Sequence, residues 1–313
     1  MTNLSEFTFL SSDGKTQLHG MLWEPEGVAV RAVLQICHGV AEHIARYDGF
    51  ARALNEQGIV VAGHDHLGHG KSLPEDGTPV YFGEGNTWNT VVDDIYVLHQ
   101  RLKQRYPDVP LCIMGHSMGS FLTRTYLIRY PGTVKAAVIM GTGWQPQAAI
   151  TGGLALANAI AAVSGENATS ELVTELAFGS YNKLFAPNRT KVDWLSADES
   201  NVDDYIADPL CGADATVGLF RQMLHGIRFN QRQSHLRQMD REMPVLFVAG
   251  DKDPVGNCGK GVRQTYDAFR AAGMRDCTLK LYPGLRHEIL NEKAYTADIT
   301  KNIEAWLLSR LEK

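Results

Sequence analysis

Gly115-His116-Ser117-Met118-Gly119 is a Gly-x-Ser-x-Gly pentapeptide. It directly follows the apolar run Leu-Cys-Ile-Met and opens Met118–Tyr130, a stretch of helical character. In that setting the motif is a sharp strand-to-helix turn, whereas without it the same residues are an ordinary Gly-Ser turn. The turn strains the serine backbone and lifts its hydroxyl above the strand end. The flanking glycines admit neighbouring backbone, and the helix N-terminus points free N–H groups at developing negative charge. The chemistry so prepared is attack by Ser117 on a carbonyl carbon.

A serine hydroxyl alone is a weak nucleophile and needs a base that an acid orients. On this scaffold the expected chain order is Ser, then Asp or Glu, then His. The histidines after Ser117 are His225, His235 and His287. His287 ends Leu281-Tyr-Pro-Gly-Leu-Arg-His287, just past the last predicted strand, where open α/β sheets form ligand sites. His225 and His235 read as surface or helix residues. Val-Leu-Phe-Val-Ala runs into Gly250-Asp251-Lys252-Asp253-Pro254, so Asp251 and Asp253 are both candidate acids, and each could instead be a turn aspartate. An oxyanion needs two backbone donors. One is Met118 N–H; the other is Val40 N–H, in the loop His38-Gly39-Val40-Ala41-Glu42-His43. Glu42 can also cap the helix that follows.

The elements that hold these residues are legible as short apolar runs between helical stretches. Leu18–Trp23, Arg31–Cys37, Ile59–His64, Leu111–Gly115, Val134–Met140, Val245–Ala249 and Thr278–Tyr282 read as strands. His43–Gln57, Thr87–Arg105, Met118–Tyr130, Gly261–Ala272 and Ala294–Leu311 read as helices. Continuously apolar strands separated by helices predict an α/β fold with a mainly parallel sheet covered on both faces. The alternation breaks over residues 142–241. There Ala148–Val163, Ser170–Phe178 and Thr216–Asn230 read as helices, joined by polar segments such as Ser-Ala-Asp-Glu-Ser-Asn-Val-Asp-Asp. The expected division is a core of residues 1–141 and 242–313 interrupted by a helical insertion, residues 142–241.

The chain has 313 residues, 44% hydrophobic and 21% charged, which is enough to bury a core without disulfides or metals. A net charge of −5 argues against a nucleic-acid binder. Five cysteines with no CxxC pair read as free thiols in a reducing compartment. No signal peptide is visible, and Ala148–Val163 is too short and too interrupted for a membrane span, so a soluble cytoplasmic protein is expected. His64-Asp65-His66-Leu67-Gly68-His69 is dense in metal-type ligands, but its order and spacing fit a pinned turn better, and no metal is expected. Arg221, Arg228, Arg232, Arg237 and Arg241 read as a solvated face, with a phosphate-headgroup site as the alternative.

Taken together, His38-Gly-Val-Ala-Glu-His43, Asp65-His-Leu-Gly-His-Gly-Lys-Ser72, Gly-His-Ser-Met-Gly, Gly-Asp-Lys-Asp-Pro-Val-Gly and the late histidine resemble the α/β-hydrolase fold. More narrowly they resemble its monoacylglycerol lipase and lysophospholipase branch. The resemblance implies Ser117, Asp253 and His287 as catalytic residues and Val40 and Met118 as oxyanion donors. It implies no cofactor, and an insertion that caps an acyl pocket and makes transient membrane-surface contact. The activity implied is hydrolysis of monoacylglycerols or similar lipid-like esters. Alternatives are a lysophospholipase, a peptidase that holds a substrate amine with Glu166, Glu171 or Glu175, and a ligand-binding protein without turnover. The apolar Ala148–Val163 helix is expected to wall the acyl site, with core of the cap as the alternative, and the arginines to lie away from it.

Overall fold

Eight strands form one sheet in the order β1-β2-β4-β3-β5-β6-β7-β8. They are β1 Thr2–Leu10, β2 Gln17–Pro25, β3 Ala32–Cys37, β4 Ile59–His64, β5 Leu111–His116, β6 Ala136–Met140, β7 Val245–Gly250 and β8 Cys277–Tyr282. The computed structural model describes residues 1–311, with Leu176 and Ala177 through their backbone alone; Glu312 and Lys313, the end of the expected core segment, lie outside the described residues. β2 runs antiparallel to β1 and β4, and the remaining pairs are parallel. Strands β3 to β7 are buried at every residue, so they read as continuous apolar runs and not as an alternation.

β1 has no counterpart in the sequence reading. It is an edge strand with only Phe9 buried, so its residues carry little hydrophobic pattern. It is seated through register: Phe7 lies opposite Gly20, and a Cβ there would meet the Phe7 ring at 2.4 Å.

The helices are α1 Asp48–Asn55, α2 Thr87–Arg105, α3 Met118–Arg129, α4 Gln147–Ser164, α5 Glu171–Thr174, α6 Ser180–Lys183, α7 Glu199–Ala207, α8 Val217–Asn230, α9 Gln233–Leu236, α10 Lys260–Ala271 and α11 Thr296–Leu311. α1 and α11 cover one sheet face, where Phe50, Leu54 and Ile303 pack with Leu34, Val61 and Val138. α2, α3 and α10 cover the other, where Ile95, Leu122 and Phe269 pack with Val33, Ile113 and Phe247. Between β6 and β7 no strand joins the sheet, and the one bridge in that stretch pairs Thr169 with Thr216.

Three helix expectations change. The helix expected from His43 begins as a 3-10 turn, Ile44–Tyr47, before α1. Ser170–Phe178 is not one helix but α5, a π-helical turn Glu175–Gly179 and then α6. The polar segment Ser-Ala-Asp-Glu-Ser-Asn-Val-Asp-Asp is not a linker, since it contains the start of α7. Asp198 caps that helix by accepting the Ser200 N–H at 3.0 Å, and the face carrying Asn201, Val202 and Tyr205 is buried.

The His64–His69 segment is a pinned turn. The Asp65 carboxylate accepts the N–H groups of Ile44 (2.8 Å) and Lys71 (2.9 Å) and the His19 Nδ1–H (2.9 Å). Gly70 has φ +49°, and a Cβ there would lie 2.5 Å from that carboxylate. His38 donates from Nδ1 to the Gly39 carbonyl and accepts the His66 N–H on Nε2, which specifies a neutral ring. His38, His64, His66 and His69 are all buried, and burial depresses their basicity, His64 to about 3 and His69 to about 4.

These histidines set a pH dependence. Below about pH 6.5 the unfolded chain takes up protons that the native rings refuse, so their contribution is full above that pH and is lost as the pH falls towards 4 and 3. Each contributes a slope of up to about 1.4 kcal/mol per pH unit. His19, raised chiefly by its hydrogen bond to Asp65, offsets part of this. The urea midpoint is expected to drop between pH 7.5 and pH 5, and less steeply in His64→Leu. A midpoint that holds or rises would mean that the native rings protonate.

Candidate active site

Ser117 joins β5 to α3 with φ +55° and ψ −122°, a region that a residue with a side chain enters only under constraint. The constraint is visible. Its N–H donates to the Met140 carbonyl of β6 (3.0 Å), and its carbonyl accepts from the Ser120 Oγ–H (2.6 Å) and N–H (2.9 Å). Both motif glycines are required by close packing. A Cβ on Gly115 would lie 2.2 Å from the Gly119 carbonyl, and one on Gly119 would lie 2.0 Å from the Cys37 carbonyl.

β7 delivers the two aspartates to different tasks. Asp253 is fully buried and accepts the His287 Nδ1–H at 3.0 Å and the Val255 N–H at 2.9 Å. Asp251 accepts the Gly284 N–H at 2.8 Å and tightens the turn after β8. With Nδ1 directed at a carboxylate, the other His287 ring nitrogen is left as the basic one. Ser117 and His287 line the same cavity, and no hydrogen bond joins their side chains among the described residues. Val40 lines that cavity too, and neither its N–H nor that of Met118 donates to a protein acceptor among the described residues.

The sequence reading missed the group that shapes the Val40 loop. Glu42 does not cap the following turn; its buried carboxylate accepts from four directions. The donors are Gly39 N–H (2.5 Å), Tyr47 Oη–H (3.0 Å), Arg46 Nη1 (2.9 Å) and His116 Nδ1 (3.2 Å). Burial alone would raise the carboxyl's pKa, but the His116 hydrogen bond and the Arg46 charge hold it well below the usual carboxylate range. Arg46 also grips Glu288, the neighbour of His287, with two bonds of 2.7 and 2.8 Å. His116 faces an acceptor on each side, Glu42 and the His287 carbonyl (3.3 Å). Only an imidazolium satisfies both acceptors; burial lowers its pKa, and the Glu42 hydrogen bond outweighs this and raises it. The available signal was adjacency, because Glu288 follows His287 and His116 precedes Ser117.

The segment between β6 and β7 is fastened to both loops. Tyr205 Oη–H and Gly212 N–H each donate to the Ala41 carbonyl at 3.0 Å, and His43 pairs with Asp208 at 2.8 Å. Glu288 N–H donates to the Leu195 carbonyl at 2.7 Å, and Asn201 Nδ2 to the Glu288 carboxylate at 2.8 Å. The cavity between this segment and the sheet edge has a volume of about 1030 Å³ and opens to solvent. Its outer wall carries Phe178, Trp194, Leu195 and Tyr205, with the Trp194 ring 5.1 Å from that of His287.

The expectation that Ala148–Val163 walls this cavity is corrected, because no residue of α4 lines it. α4 packs on α8 through Ile150, Leu154 and Ala157, which directs it away from Ser117. It is 18 residues long with mean hydropathy 1.3 and only 17% buried, long and apolar enough to cross a membrane by length and composition, contrary to the sequence reading. None of the five arginines lines the cavity, as expected. Of the candidate amine-binding acids, Glu171 and Glu175 line it, while Glu166 pairs with Arg221 elsewhere.

The family model described as serine aminopeptidase, S33 (Hydrolase_4) matches residues 28–294. The chain is 30% identical over 312 residues to the monoacylglycerol lipase of Mycolicibacterium smegmatis, covering 98% of each chain. It is 27% identical over 303 residues to human monoglyceride lipase, covering 96% of this chain and 89% of that one. Among solved structures, a thermostable carboxyl esterase from Bacillus coagulans in complex with glycerol superposes with a TM-score of 0.92 at 26% identity, covering 99% of this chain and 100% of that one. The sheet order, the strained serine turn and these matches agree: the chain belongs to the serine aminopeptidase S33 family of α/β-hydrolases.

Proposed function

We propose that the protein hydrolyses carboxylic esters of the monoacylglycerol type through Ser117, His287 and Asp253. The observation that carries this reading is the buried Asp253–His287 hydrogen bond, beside a serine held at positive φ on the wall of one cavity. The names of the relatives, monoacylglycerol lipase and carboxyl esterase, support the substrate class. Ser117 attacks the ester carbonyl while the free His287 nitrogen takes its proton. Asp253 stabilises the imidazolium and holds its orientation. Val40 and Met118 N–H groups receive the oxyanion. His287 then protonates the leaving alcohol, and water, activated by the same ring, releases the fatty acid.

In this reading residues 142–241 form a cap on a core of residues 1–141 and 242–313. Phe178, Trp194 and Leu195 supply apolar wall for an acyl chain. The exposed apolar α4, with Val163 89% exposed, makes transient contact with a membrane surface. The five free cysteines support a cytoplasmic location. A second reading, hydrolysis of a substrate bearing a free amine, rests on Glu171 and Glu175 at the cavity wall.

Ser117→Ala is expected to abolish ester hydrolysis with unfolding near normal, and Asp253→Asn to cost orders of magnitude more in kcat than Asp251→Asn. Full activity in Ser117→Ala, or equal losses in the two aspartate variants, would remove the triad. Across a panel of monoacylglycerols, affinity is expected to rise about fourfold per buried methylene until the cavity fills. Faster turnover of aminoacyl amides on the same panel would favour the amine reading. Glu42→Ala leaves the Gly39 N–H, the Tyr47 hydroxyl and His116 without their shared acceptor while Arg46 keeps Glu288, so urea unfolding is expected to register a loss of about 1–3 kcal/mol. Its kcat is expected to fall further than KM rises, because the Val40 donor loses its support.

A further inference from the structure

A second cavity, of about 470 Å³, shares no lining residue with the one at Ser117. It lies where the N-terminus of α2 meets α8 and α4. Arg221, His225, Arg228 and Arg232 line it together with Asn86, Asn89 and Asn158, and no aspartate or glutamate does. The positive charge is unevenly compensated. Arg221 is paired with Glu166 at 2.5 Å. Arg228 donates only to His225 Nδ1 (3.1 Å), and neither Arg228 nor Arg232 has a carboxylate partner among the described residues. A guanidinium offers no acceptor, so His225 Nδ1 accepts from Arg228, and burial and the charges of Arg228 and Arg221 push the His225 pKa down.

The helix end adds to this field. α2 runs for 19 residues, has no acidic side chain in its first turn, and its N-cap residue Asn86 makes no side-chain capping bond. Apart from the Trp88 N–H, which donates to the Gln222 amide oxygen at 3.5 Å, its N-terminal N–H groups add partial positive charge to a cavity that already holds two guanidinium groups without a carboxylate partner among the described residues. A chain of net charge −5 has no general attraction for anions, so a local concentration of this kind calls for a local ligand.

We propose that this cleft binds a phosphate group. Guanidinium forks match phosphate oxygens with paired, charge-assisted hydrogen bonds. The amides of Asn86, Asn89 and Asn158 suit the hydroxyls or ester oxygens of a small substituent, and the volume suits a phosphorylated head and not a long chain. Two sources offer this chemistry, a soluble phosphate compound and the headgroup of an anionic phospholipid. The second is drawn in by geometry, because Asn158 belongs to α4, whose other residues leave an apolar surface exposed beside the cleft.

The test uses the whole protein and two probes. Inorganic phosphate is titrated calorimetrically against chloride at equal ionic strength, and flotation is measured with phosphatidylcholine vesicles with and without phosphatidylglycerol. The double variant Arg228→Ala/Arg232→Ala is compared with the unaltered chain, and Arg232→Glu, at an exposed position, serves if the double variant melts early. Melting temperature and turnover of a short soluble ester are expected to stay unchanged. At least one probe is expected to bind, and to weaken about tenfold per guanidinium removed. Loss of phosphate binding identifies a soluble ligand; loss of phosphatidylglycerol-dependent flotation alone identifies a lipid headgroup. If neither probe binds, or both bind the variants as tightly as the unaltered chain, the proposal is overturned.

Discussion

Two buried carboxylates, Glu42 and Glu288, share one partly buried guanidinium, Arg46, and the geometry around Ser117 depends on that arrangement. Each carboxylate alone would be prohibitive in an apolar interior; the shared guanidinium offsets them, and His116 adds a hydrogen bond to Glu42. The contact is useful because of where its members sit in the chain. Glu42 ends the Val40 loop, His116 precedes Ser117, and Glu288 follows His287. Three segments far apart in sequence are therefore locked in mutual register where Ser117, His287 and the Val40 loop meet at one cavity.

The sheet supplies the other half of the constraint. Ser117 holds a costly backbone conformation, and the cost is met by the β6 carbonyl that receives its N–H and by glycines that let α3 rest against the end of β3. Arg124 on α3, buried and without a carboxylate partner among the described residues, donates to the Gly143 carbonyl just after β6, and Thr265 of α10 donates to the same oxygen. The helix that positions Ser117 thus also anchors the chain where it leaves the sheet after β6.

The segment between β6 and β7 holds both loops at once. Through Tyr205, Asp208 and Gly212 it grips the Val40 loop, and through Leu195 and Asn201 it grips the loop of His287. A movement of α7 would be felt at both loops at once. The remaining helices divide the labour: the α5–π–α6 stretch and Trp194 face the cavity, while α4, largely exposed, and the polar edge of the mostly buried α8 border a separate basic cleft. The separation explains how an apolar helix and an arginine cluster that adjoin in space can both be absent from the wall around Ser117.

The sequence by itself determined the α/β architecture, because strands buried on both faces must be apolar throughout and helices between them must be amphipathic. It also determined the serine turn, since a Gly-x-Ser-x-Gly between strand and helix is a local signal, and it singled out His287 by its place after β8. Its own residues left Asp251 and Asp253 equivalent; resemblance favoured Asp253, and tertiary structure placed that carboxylate against His287 while Asp251 closed a turn. The Glu42–Arg46–Glu288 network, the edge strand β1 and the outward direction of α4 were likewise tertiary decisions. A charged residue looks solvent-exposed in sequence until its partner, here 242 residues away between Arg46 and Glu288, is brought to it. Periodicity reports that a helix has an apolar face, but which surface that face meets depends on the packing of elements distant in the chain.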